Sequence, residues 1–80
     1  MKKTDYHRVL GRIQSFDAWT RRGEVALTGR GEFLRFSSTC FYAGRFSRDP
    51  RRDEEVSVAL AKDVAEATSD DVLGVWVHAR

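Results

Sequence analysis

Eighty residues suffice for one domain, and a chain of that size buries only about 60% of the surface its unfolded form exposes, so no deep internal active site is expected. An apolar share of 41%, with aromatic and β-branched side chains spread along the chain, excludes disorder throughout, and no apolar run approaches the ~20 residues of a membrane-spanning helix. The net charge of +2 hides a segregation: residues 1–52 hold twelve Lys/Arg against five Asp/Glu, and residues 53–80 hold two against seven, which gives either a basic face able to attract phosphates or two ends that neutralise each other.

Met1-Lys2-Lys3-Thr4-Asp5 leads into a strand pattern rather than the apolar core of a secretion signal, which predicts a cytoplasmic protein with no membrane partner. The first strand is expected over Arg8–Phe16, with Val9, Gly11, Ile13 and Ser15 on one face and Leu10, Arg12, Gln14 and Phe16 on the other; Gly11 suggests a bend or bulge. Residues 17–23 read as a turn. Glu24–Thr28 is the second strand, with Val25 and Leu27 inward, and Gly29-Arg30-Gly31 a hairpin connection in which glycine supplies positive φ. Glu32–Phe36 is the third strand.

Residues 37–53 have no clean period and contain Gly44, Asp49-Pro50 and the cluster Arg45, Arg48, Arg51 and Arg52, so they read as a long basic connection with room for one helical turn near Ser38–Tyr42. The fourth strand is the clearest alternation, with Val56, Val58 and Leu60 on one face and Ser57 and Ala59 on the other. Residues 61–71 form a loop, being short of the ~12 residues an isolated helix needs. Leu73–Ala79 is the fifth strand, with Leu73, Val75 and Val77 inward and Trp76 and His78 opposite. Residues 1–80 are thus expected to form one all-β domain, a small five-stranded antiparallel barrel, with an SH3-like barrel as the alternative.

Three stretches in order, Gly11-Arg12-Ile13-Gln14-Ser15-Phe16-Asp17, Arg22-Gly23-Glu24-Val25-Ala26-Leu27 and Gly31-Glu32-Phe33-Leu34-Arg35-Phe36-Ser37, resemble the cold-shock domains, whose pattern runs G-x-V-K-W-F-N, then K-G-F-G-F-I, then D-V-F-V-H-F-S. The resemblance covers the first half of the chain and implies an OB-type barrel that binds single-stranded RNA or DNA on an outer face of the first three strands. It places Phe16, Phe33, Arg35 and Phe36 where bases stack, with Arg12, Arg22 and Arg30 near the phosphates. Arg35 stands where the family has histidine, and its planar cation can both stack and meet phosphate. The first motif departs from the family: Glu24 and Ala26 replace its two stacking phenylalanines and Ser15 the strand-one tryptophan. Glu24 brings a negative charge into the path of a strand unless Arg12, Arg22 or Arg35 offsets it. Glu32 occupies a position expected to face the core.

Phe16, Phe33 and Phe36 accordingly read either as remaining base-stacking rings or as packing residues of a barrel that no longer binds bases. Trp19, beside Arg21 and Arg22, is expected to fold back over the barrel end, and Trp76 to be structural. The arginine cluster with Phe41, Tyr42 and Phe46 suits phosphate, a protein partner or plain solvation. Lone Cys40, with His7 and His78, offers no disulfide and no zinc-ligand spacing, and no cofactor is expected. Asp70-Asp71 and Asp53-Glu54-Glu55 come without a nucleophile or phosphate loop, so catalysis is not expected. Two functions follow: a weakly selective single-strand nucleic-acid binder, or a module for a protein partner or homodimer on a barrel that has lost that activity.

Overall fold

A computed structural model describes residues 6–43 and 48–77. Among these the chain is all-β: β1 (His7–Asp17), β2 (Arg22–Leu27), β3 (Phe33–Ser37), β4 (Phe41–Tyr42), β5 (Glu55–Leu60) and β6 (Val72–Val77), with 3-10 turns at Ser38–Cys40 and Ser69–Asp71. Every expected strand forms, His78 and Ala79 of the fifth lying outside the described residues. The addition is β4, two residues inside the stretch read as a plain connection, and it makes the sheet six-stranded rather than five-stranded. No described helix is long and apolar enough to cross a membrane.

The strands lie in the order β3-β2-β1-β5-β6-β4, with β3 and β4 at opposite edges. Those two edges are joined by only the three residues Ser38–Cys40. A flat sheet of six strands is roughly 24 Å across at the usual strand spacing, so a link this short forces the sheet to curl and brings its two edges near each other. The result is a half-barrel. All neighbouring strands pair antiparallel except β4, whose Phe41 and Tyr42 run parallel to Val75 and Trp76 of β6. At the open side the Arg35 amide on β3 donates to Ser69 Oγ at 2.8 Å, so the second 3-10 turn covers an edge that would otherwise lack a hydrogen-bond acceptor.

The core is filled by alternate residues of the long strands: Ile13, Val25, Leu27, Leu34, Phe36, Val56, Val58, Leu60 and Val75 are buried, and Ala67 and Val72 close one end. Full burial of each large aliphatic side chain contributes about 1.5–3 kcal/mol. Alternation fails at two places. The β1–β2 register shifts between Ile13 and Ser15, so Gln14 is the extra residue of a bulge; beyond it Ser15 faces Glu24, while Phe16 faces Gly23 on the core side. The assignment of Ser15 inward and Phe16 outward is thereby reversed. A second shift, opposite Ala59 and Leu60, lets both Val72 and Val75 point inward and turns Leu73, expected inward, out to solvent. Glu32, expected to face the core, lies before β3 and is exposed.

Between β1 and β2 the Trp19 amide donates to Asp17 Oδ1 and the Arg21 amide to the Asp17 carbonyl, both at 2.8 Å, and Arg21 takes a positive φ of 60°. Gly29 supplies the positive φ expected of the β2–β3 connection. The stretch before β5 is held by Arg48, whose guanidinium donates to both oxygens of Glu54, and the Arg51 amide also donates to Glu54. Burial alone would push the Glu54 carboxyl up, but the bonds from Arg48 and Arg51, with their charges, hold it below its ordinary value.

Two consequences are measurable. A Cβ at Gly23 would sit 2.7 Å from the Phe36 ring and 2.8 Å from the Ser15 carbonyl oxygen, so Gly23→Ala is expected to lower unfolding stability by about 1–3 kcal/mol, read as a lower urea midpoint with an unchanged slope. A carboxyl whose pKa falls on folding stabilises above its unfolded pKa and loses that contribution as pH drops through the folded one. Glu54→Gln is therefore expected to cost about 1–3 kcal/mol at neutral pH, with the gap to the wild type closing below about pH 5; a gap constant with pH would show that the carboxylate charge is not what matters.

Candidate functional site

On the outer face of β1–β3 the ladder sets side chains in rows. Arg12, Ala26 and Phe33 form one row, Ser15, Glu24 and Arg35 the next, and Asp17, Arg22 and Ser37 the last. The bulge at Gln14 creates this arrangement, because it brings Ser15 and Asp17 onto the face that Arg12 occupies before it. An open cleft of about 670 Å3 runs along the second and third rows, with Ser15, Phe16, Thr20, Arg22, Glu24 and Arg35 in its lining. A second opening on the β3 side of the same arginines reaches Ser37, Cys40 and Ser69.

Three of the seven residues expected at a binding face come together here. Phe33 is 49% exposed, and Arg35 and Arg22 are exposed and make no ion pair with a described residue. Arg12 shares the face but is engaged, donating to Glu55 Oε2 at 3.1 Å and to the Asp53 carbonyl. Of the other three, Phe36 and Arg30 are placed elsewhere and Phe16 is shared between the core and the cleft. Phe36 is only 4% exposed and belongs to the core, its ring tilted against Phe41. Phe16 is half-buried: it packs against the core, the Arg21 guanidinium lies over its ring at 5.4 Å, and it also lines the cleft. Arg30 turns away from the face and donates to the Val64 and Ala67 carbonyls at 2.8 and 2.6 Å, where it pins the loop after β5. An arginine in a glycine-flanked turn gives no sign in sequence of such distant acceptors.

Glu24 is half-buried in the middle row and accepts a hydrogen bond from Ser15 Oγ at 3.2 Å. Directly across from it stands Arg35 and, one row on, Arg22, so the negative charge is flanked by two cations rather than isolated. With Asp17 also in the cleft wall, two carboxylates balance two guanidiniums. Attraction for an anion is local, at the β2–β3 edge, and not a field of the whole face.

Of the arginine cluster, Arg45 and the neighbouring Phe46 lie outside the described residues. Arg48 is committed to Glu54, while Arg51 and Arg52 are exposed. Trp19, expected to fold back, is 95% exposed at the tip of the β1–β2 turn. On the other outer half of the sheet, Leu10, Ser57, Trp76 and Tyr42 stand in one row across β1, β5, β6 and β4. There the Trp76 indole lies over Gly74 and stacks on the Tyr42 ring at 5.4 Å. Among the described residues no three His, Cys, Asp or Glu side chains gather as a metal site.

No protein-family model, curated protein or solved structure matches this chain.

Proposed function

We propose that this chain is a small OB-type barrel that binds single-stranded RNA or DNA weakly, with little sequence selectivity and without catalysis. The observation that carries this reading is one exposed strip of β2 and β3 on which the ring of Phe33 is followed by two guanidiniums, Arg35 and Arg22, that make no ion pair with a described residue. A ring offers a face on which any base stacks, worth about 1–3 kcal/mol, and guanidiniums meet phosphates in bidentate fashion. The three-strand meander β1-β2-β3, with β1 also paired to β5, favours the OB arrangement over the SH3-like one. Weak affinity follows from the small platform: Ser15, Glu24 and Ala26 offer no ring, and the two carboxylates offset the cations.

A second reading, a module for a protein partner or for self-association, is favoured by the row Leu10, Trp76 and Tyr42. All three are partly exposed on a face that the nucleic-acid reading leaves unused. Aromatic side chains of this kind are enriched at the centres of protein interfaces.

The two readings separate in one titration. A fluorescently labelled, unstructured oligonucleotide is expected to bind saturably at low salt and to be released as salt rises. Phe33→Ala should weaken binding about tenfold. Arg35→Ala should weaken it for every sequence and flatten the slope of log K against log salt by about 0.7, the share of one phosphate contact to a single strand. Absence of binding at low salt, together with a dimer in sedimentation, would make the protein-interaction module the better account.

A further inference from the structure

The turn between β1 and β2 holds Trp19 almost wholly in solvent, 95% exposed, although tryptophan is among the residues that gain most from burial. The backbone beneath it is nevertheless fixed. Asp17 accepts from the amides of Trp19 and Arg21, and the Arg21 carbonyl accepts from the Ser38 amide at 2.8 Å, which ties the turn to the end of β3. The Arg21 side chain is fixed as well, over the Phe16 ring and bonded to Asp49 Oδ1 at 2.9 Å. An exposed ring on a backbone held at both ends loses little freedom when a partner meets it.

The position of this ring matters as much as its exposure. Asp17 and Arg22 are the last pair of the β1–β2 ladder, so the turn extends the outer face past the Arg22 row, and its Thr20 lines the cleft. Along β3 and β2 the order is Phe33, Arg35, Arg22 and then the Trp19 turn, the first and third of these being four residues apart in register, about 13 Å. Two exposed rings thus bracket two guanidiniums that make no ion pair with a described residue. A chain alternating flat bases with phosphates has the same order of groups.

We propose that Trp19 is the second base-stacking ring of this site: one unpaired base rests on the indole, the following phosphates pass over Arg22 and Arg35, and a further base stacks on Phe33. This rests on the single-strand binding proposed above and adds to it a residue outside the strands. It places in the turn the large ring that Ser15, Glu24 and Ala26 do not provide.

The test uses labelled oligothymidylate of about seven nucleotides, within the site size of one such barrel, with the full chain at low salt. Trp19→Ala is expected to weaken binding about tenfold while leaving the salt slope unchanged, since no charge is lost. Trp19→Phe should recover most of that affinity, and circular dichroism of both variants should match the wild type, because the ring touches no core. In a Trp76→Phe chain the remaining Trp19 emission should be quenched on binding; if that variant does not fold, the anisotropy comparison of the Trp19 variants decides alone. Wild-type affinity in Trp19→Ala, with Phe33→Ala still impaired, would overturn the role of Trp19 and leave the strand site standing. No binding by the wild type would overturn both and leave the exposed indole as a contact for protein.

Discussion

The fold depends on β1 serving two neighbours at once. Its first half pairs with β5 and its second half with β2, and Gly11 and Arg12 take part in both ladders. For the sheet to curl about this strand it must bend, and the small residue Gly11 and the bulge at Gln14 lie where both ladders overlap or just beyond. The curl that follows carries the two edges of the sheet to within three residues of each other, which is why β3 can pass into β4 without a long crossover. Curl and core go together: the same curl that brings the edges near each other encloses Ile13, Val25, Val56, Val58, Leu60 and Val75.

The bulge also decides the chemistry of the outer face. Without the extra residue, Ser15 would point into the barrel and Phe16 out of it; with it, a hydroxyl joins Glu24 on the face and an aromatic ring joins the core. The site is polar where a stacking platform would be apolar, and its exposed strand ring, Phe33, sits at one end. The turn that carries Trp19 continues directly from the last β1–β2 pair, Asp17 with Arg22, at the end of the face away from Phe33.

Charge is allotted by tertiary contacts rather than by local sequence. Arg12, Arg21, Arg30 and Arg48 each pair with an acid, three of those four acids lying on a segment well separated in sequence or across a loop, so part of the cation excess in the first half of the chain is used in holding the fold. The exposed pairs among them, Arg12–Glu55 and Arg21–Asp49, contribute little each, but with the more shielded Arg48–Glu54 pair they determine which cations remain. Arg22 and Arg35 remain at the cleft, and a face with so few free charges is suited to loose, salt-sensitive contact.

The sequence by itself determined the strands, their inward residues at Ile13, Val25, Leu27, Val56, Val58 and Leu60, the glycine turn before β3 and the short helical turn after it, because each follows from period-two hydrophobicity and local turn chemistry. It also singled out Phe33, Arg35 and Arg22, which the ladder brings together. Only the tertiary structure decided the rest. Periodicity assumes an unbroken pleat, so it could not register bulges that reverse the facing of Ser15, Phe16 and Leu73. Phe36 in the core, Arg30 on the Val64 and Ala67 carbonyls and the two-residue β4 depend on partners more than thirty residues away or across the barrel. Whether a charged or aromatic side chain is available to a ligand is a property of its neighbours in space, and those neighbours are fixed only when the sheet closes.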